Sequence, residues 1–227
     1  MNNRELLISV CREIEPLLNQ FVLVGGCSTE LLITDSAAPH PRPTQDVDMV
    51  VNAITLNDYY AIESKLREFG FSQTLDEQGV ICRWVKGVLK LDVMPTDEKI
   101  LGFTNRWYER AVEKAVTIKY ENMMINHISA PIFIATKLDA FDSRGNGDFI
   151  MSHDLEDLIA VIDGRSNIVE DVALSPSDVQ EYIAYRISKF LKNNEFDEAL
   201  PGFLPPDKAG QSRLEMLLDK LKKISEI

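Results

Sequence analysis

The chain has 227 residues, 45% hydrophobic and 26% charged, the balance of a folded chain with a full core. Its net charge of −12 argues against broad, non-specific nucleic-acid binding, which needs many Lys and Arg contacts to phosphate, but leaves room for a small local basic groove. No apolar run is long enough to span a bilayer, and the amphipathic start lacks a signal peptide's apolar core; the three cysteines show no CxxC or Cys/His spacing, so a cytoplasmic setting without membrane, disulfide framework or zinc site is expected.

Residues 4–18 carry Leu6, Leu7, Val10, Cys11 and Ile14 at helical spacing, with Pro16 marking a loosening end. Residues 21–24 read as a short apolar strand, Gly25-Gly26 as a tight turn, and 28–32 as a short helix. The three prolines between 37 and 44 dictate a loop, after which 46–52 reads as a second strand. Thr55, Leu56 and Asn57 offer caps for a helix that runs through Phe69 and ends at Gly70. Two β-rich runs, 80–85 and 88–94, flank Lys86-Gly87 and suggest a hairpin. Residues 112–120 and 123–128 suggest further strands joined near Glu121-Asn122.

From Pro131 the periodicity becomes helical. One helix spans 131–144, a break falls at 145–148, and a second runs from Ser152 or His153 to Asp163, stopped by Gly164. Residues 175–178 signal the start of a helix over 179–191, and Pro205-Pro206-Asp207 precedes a last helix to the C-terminus. The expected class is α+β. A mixed β-sheet flanked by helices occupies 1–130, and a helical C-terminal domain, 131–227, packs on that core.

The sharpest signal is Asp46-Val47-Asp48. Side chains at i and i+2 of a strand share a face, so both carboxylates project together. In the run 89–94, Asp92 alternates with Leu91 and Val93 and supplies a third carboxylate from another strand. Strands lie about 4.8 Å apart, close enough for carboxylates on neighbours to share a cation. Hard oxygen ligands suit Mg²⁺, with Mn²⁺ as an alternative, and two such ions can activate an attacking oxygen while clamping a triphosphate. A Gly-Gly turn opening a helix offers backbone N–H groups and a positive helix end to phosphate.

This order of parts resembles the polymerase-β-type nucleotidyltransferase superfamily. More narrowly, GGCSTELL, PTQDVDMVV, LDVMP, IATKLDAFDSRG and SHDLEDL together are similar to the AbiEii toxin-like nucleotidyltransferases, over roughly residues 20–165. The resemblance implies transfer of a nucleoside monophosphate from an NTP, with release of pyrophosphate. It implies that Asp46 and Asp48 bind Mg²⁺, and that Asp92 helps bind metal and deprotonates the acceptor. Gly25 and Gly26 would hold the triphosphate. Lys137 would contact phosphates from its helix, and Asp154 and Asp157 match a later acidic motif. Cys27 stands where the family usually has a hydroxyl residue, so a phosphate-binding hydroxyl comes from Ser28 or is absent. The implied acceptor is a tRNA 3′ end, the implied setting a toxin with an antitoxin partner. A small hydroxyl compound such as an aminoglycoside is the alternative acceptor, and an inactive nucleotide-binding protein the alternative class.

Plainer readings stand beside these. Lys137 shares a helix face with Phe141 and Arg144 and can simply extend along apolar surface. Asp154 and Asp157, opposite the stripe Leu155, Leu158, Ile159 and Ile162, fit a solvated helical face equally well. Arg213, Lys220, Lys222 and Lys223 read as a surface face of the last helix, with RNA contact as the alternative. His40, His127 and His153 have no ligand spacing.

Overall fold

The structure, a computed structural model, describes residues 1–53, 55–74, 81–145 and 147–227. It divides into two compact units, one of 1–28 and 43–129, the other of 29–42 and 130–227. The strand expected from residue 80 and the break at 145–148 each include a position outside the described residues, Val80 and Asn146.

The first unit is built on a sheet. Helix α1 (Asn3–Glu13) begins with a reciprocal cap between Asn2 and Glu5, and Pro16 then opens a 3₁₀ turn over Glu15–Gln20. The helix expected over 4–18 is therefore two pieces, because proline removes an amide donor and crowds the preceding turn. Strand β1 (Phe21–Val24), buried throughout, runs straight into α2 (Gly25–Leu32). Strand β2 (Val47–Val51) and α3 (Leu56–Glu68) follow, the latter capped by Thr55 and Asp58. Next come β3 (Ser72–Gln73), β4 (Arg83–Lys86) and β5 (Leu89–Pro95), then the short helices α4 (Glu98–Leu101) and α5 (Tyr108–Glu113). The hairpin β6 (Val116–Tyr120) and β7 (Met123–His127) turns through Glu121, at φ 52°. The strand expected over 112–120 starts late because α5 takes its first residues.

Among the described residues the strands form one seven-stranded sheet in the order β3-β4-β5-β2-β1-β7-β6. β1 pairs with β7, and β2 with β5, in parallel; the other neighbours are antiparallel. The architecture is α+β with a mixed sheet, and a helical region follows it.

That second unit contains α6 (Ala130–Arg144), α7 (His153–Gly164), α8 (Ile168–Ala173), α9 (Ser177–Phe190), α10 (Asn194–Ala199), α11 (Lys208–Gln211) and α12 (Leu214–Ser225). α6 packs on α7 and α9, and α12 on α9 and α7. The rings of Phe141, Phe149, Phe190 and Phe196 meet at centroid distances of 5.1–5.7 Å in their core. The segment 33–38 is stitched to the end of α7: Thr34 and Asp35 donate their amides to the Gly164 carbonyl at 3.0 and 2.9 Å. Arg213 forks onto Asp163 at 3.0 and 2.8 Å and reaches Asp35 at 2.7 Å. Lys220 caps the same helix end, donating to the carbonyls of Ile162, Asp163 and Arg165. Arg213 and Lys220 are thus structural residues rather than a solvated face. The last helix is α11 plus α12 instead of one element.

Candidate active site

The site is assembled by strand register. Asp48 pairs with Val24 of β1 on one side and with Asp92 of β5 on the other, and Asp92 pairs in turn with Arg83 of β4. Residues facing each other across paired strands point to one side of the sheet, so Asp48, Asp92 and Arg83 form a row on one face. Asp46 sits in the bend just before β2, two residues from Asp48, and completes the set. Asp92 is buried, while Asp46 and Asp48 are partly exposed.

Gly25 explains why a glycine must open α2. It has φ +65°, and a Cβ there would lie 1.9 Å from Asp48 Oδ2. The main chain therefore lies against the Asp48 carboxylate, and no side chain fits between them. Gly26 is buried one residue further on. Cys27 points its thiol at the Asp46 carbonyl, 3.5 Å away, and Thr44 donates its hydroxyl to Asp46 Oδ1 at 3.0 Å. Ser28 is fully buried, and its hydroxyl has no hydrogen-bond partner among the described residues, so it presents no accessible group for phosphate.

Arg83 is the residue that sequence reasoning missed. Its Nε and Nη2 fork onto Asp92 at 2.8 and 2.6 Å, and Nη2 also donates to Asp46 Oδ2 at 2.8 Å. Among the described residues no three His, Cys, Asp or Glu side chains converge as a ready metal cage. Between Asp46 and Asp92 lies the Arg83 guanidinium instead. The donor set nonetheless fits a hard divalent cation: Asp48 and Asp92 on one sheet face, Asp46 in the bend just before β2, and a glycine holding the space beside Asp48. Nearby Cys82 is no competing ligand. Burial pushes its thiol up to about 12, and the charges of Asp92 and Asp48 push the same way.

Lys137, Asp154 and Asp157 form a separate cluster within the helical unit. Lys137 Nζ donates to Asp154 at 3.0 Å and to Asp157 at 2.7 Å. Arg144 forks onto Asp154 at 2.8 and 2.9 Å, and Arg42 onto Asp157 at 3.0 and 3.1 Å. Both aspartates and the lysine are buried, which corrects the solvated-face alternative: the helix turns these carboxylates inward because three cations meet them there. Burial opposes the charge on Lys137, but Asp157 and Asp154 outweigh it and hold its pKa above the usual lysine value. Burial likewise opposes the charge on Asp154; Arg144 and Lys137 reverse that and hold its carboxyl down at about 2.

A cavity of about 610 Å³ also opens in the first unit, lined in part by Phe21, Val51, Asn52 and Asn126. Because Phe21 pairs with Val51 and Val24 with Asp48, it lies at the other end of the β1–β2 pair from the carboxylates.

No family model matches the chain, and no curated protein matches it. A similar solved structure is the crystal structure of an antigenic nucleotidyltransferase-like protein from Paracoccidioides brasiliensis, with 17% identity and a TM-score of 0.49 over 87% of this chain and 93% of that one. Among the described residues no helix is long and apolar enough to cross a membrane.

Proposed function

We propose that this chain is a Mg²⁺-dependent nucleotidyltransferase, moving a nucleoside monophosphate from an NTP to an acceptor hydroxyl. The observation that carries the reading is the carboxylate row. Asp48 and Asp92 are direct partners on adjacent parallel strands, Asp46 lies two residues away, and Gly25 packs its main chain on Asp48. The resemblance of the Gly-Gly, Asp-x-Asp, LDVMP, lysine-helix and later acidic stretches to AbiEii-like enzymes supports it.

Asp46, Asp48 and Asp92 would hold the metal, with two ions expected and Mn²⁺ as a substitute. When bound, the metal supplies charge neutralisation at the α-phosphate and a clamp on the triphosphate. The residues of the chain do the rest. The amides at the start of α2, which lack partners within the helix, would receive triphosphate oxygens, with Gly25 and Gly26 admitting close approach. Asp92 would take the proton of the acceptor hydroxyl as its oxygen forms a bond to the α-phosphorus. The bond from that phosphorus to the bridging oxygen breaks, and pyrophosphate leaves. Lys137 is proposed to act at phosphate. Its present bonds to Asp154 and Asp157 make those two carboxylates its positioning partners.

The proposed acceptor is a tRNA 3′ end, in a toxin controlled by an antitoxin. A net charge of −12 favours a second reading, a small cationic hydroxyl compound of the aminoglycoside type, whose charge is complementary to such a surface. Incubation with labelled NTPs, Mg²⁺ and a panel of tRNA, protein and small-molecule acceptors is expected to label one class in wild type. Asp48→Ala should reduce labelling about 10³-fold, the scale on which a single group stabilising transition-state charge acts. Equal labelling by both would end the assignment. Tight NTP binding with no turnover on any acceptor would mark the chain as an inactive nucleotide-binding protein.

A further inference from the structure

Carboxylates gathered in one place repel each other unless a cation stands among them. Here that cation belongs to the protein. Arg83, the first residue of β4, is set opposite Asp92 in the middle of β5 by the strand register, and its two-point fork joins side chains only 20% and 9% exposed. Its bond to Asp46 is of another kind. It is a single contact, made by an Nη2 already shared with Asp92, to a carboxylate that lies outside the strand and is 26% exposed.

We propose that Arg83 is the resident counter-cation of the carboxylate row, a positioning residue that keeps its fork on Asp92 and gives up Asp46 when a divalent cation binds there. This rests on the metal-binding reading of the row and deepens it. Because the guanidinium and the metal seek the same Asp46 oxygen, metal binding includes the cost of breaking a charge-assisted hydrogen bond. Without metal, Arg83 prevents the row from splaying apart by self-repulsion. With metal, the retained fork keeps Asp92 aimed.

The test is Mn²⁺ binding to the full chain without nucleotide, read from the paramagnetic resonance of free Mn²⁺, together with thermal melting in chelator and in Mg²⁺. Arg83→Gln is expected to bind Mn²⁺ about tenfold more tightly than wild type, the equivalent of one such bond no longer broken. It should also melt below wild type in chelator, with the gap closing as Mg²⁺ is added. Unchanged or weaker Mn²⁺ binding by Arg83→Gln would overturn the proposal while leaving the metal site standing. Wild-type binding that Asp48→Ala does not weaken would remove the metal site itself, and this inference with it. Should Arg83→Gln fail to fold, nitrogen-resolved NMR of the wild-type arginine side chain decides. Mg²⁺ should move the Nη signals of Arg83 and leave its Nε bonded, whereas no change at saturating Mg²⁺ sinks the idea.

Discussion

Two groups of aspartates in this chain look alike in sequence and are built oppositely. In the sheet unit, the Arg83 guanidinium is shared between Asp92 and Asp46, and Asp46 and Asp48 stay partly exposed. In the helical unit, Asp154 and Asp157 are buried and meet Lys137, Arg144 and Arg42 through paired, well-directed bonds. A buried ion network with every carboxylate matched is a finished structure. The carboxylate row is half-open, and it is there that we propose a divalent cation binds. Counting acidic residues does not separate these two arrangements; their exposure does.

The largest effect is expected where the comparison is sharpest. Lys137→Met strips one cation from between two buried carboxylates and should cost about 3 kcal/mol of stability, at the lower end for a broken buried pair, since the Arg144 and Arg42 forks stay in place. Denaturant unfolding measures it. If the variant were as stable as wild type, the bonds of Lys137 would not hold the cluster together, and the contrast would fail. Gly25→Ala attacks the other side. Its Cβ would have to displace the Asp48 carboxylate, and its backbone would be held at φ +65°. We expect transfer to fall about 100-fold, with Mn²⁺ binding weakened in parallel. Retained Mn²⁺ affinity would show that Asp48 is not held where the row requires it.

Much of the first unit was legible because it is locally encoded. Phe21–Val24, the glycines, Asp46 and Asp48, and the Thr55 cap announce themselves by periodicity or by a residue with one conformational use. Arg83 was not, for a reason of one residue. A turn at Lys86-Gly87 would place Ile81 opposite Asp92; the turn is Gly87-Val88, with Gly87 at φ 60°, and Lys86 pairs with Leu89, so Arg83 arrives there instead. A one-residue slip changes every cross-strand partner, and the sequence marks such turns only to within a residue. Lys220 and the burial of Asp154 were hidden differently. A charged residue on a helix reads as solvated unless its partner is known, and those partners lie far along the chain: Lys220 meets carbonyls near 163, and Asp157 meets Arg42. Nothing in the sequence of 29–42 signals that it groups with the helical unit.

The smallest effect probes the same contrast by acid. The Asp154 carboxyl is held at about 2 against an ordinary 3.8. A group whose pKa is lower in the folded state stabilises the fold above its unfolded pKa, and that contribution disappears as pH falls through the folded value. Between about pH 4 and pH 2 the helical unit should therefore lose about 2 kcal/mol through this group alone. Asp154→Asn, less stable at neutral pH for want of the charge, should show a shallower slope across the same window. Chemical denaturation of both proteins at several acid pH values reads the difference. Parallel slopes would mean that the Arg144 and Lys137 bonds to Asp154 do not favour its ionised form. The helical cluster would then no longer be the matched network against which the carboxylate row stands out.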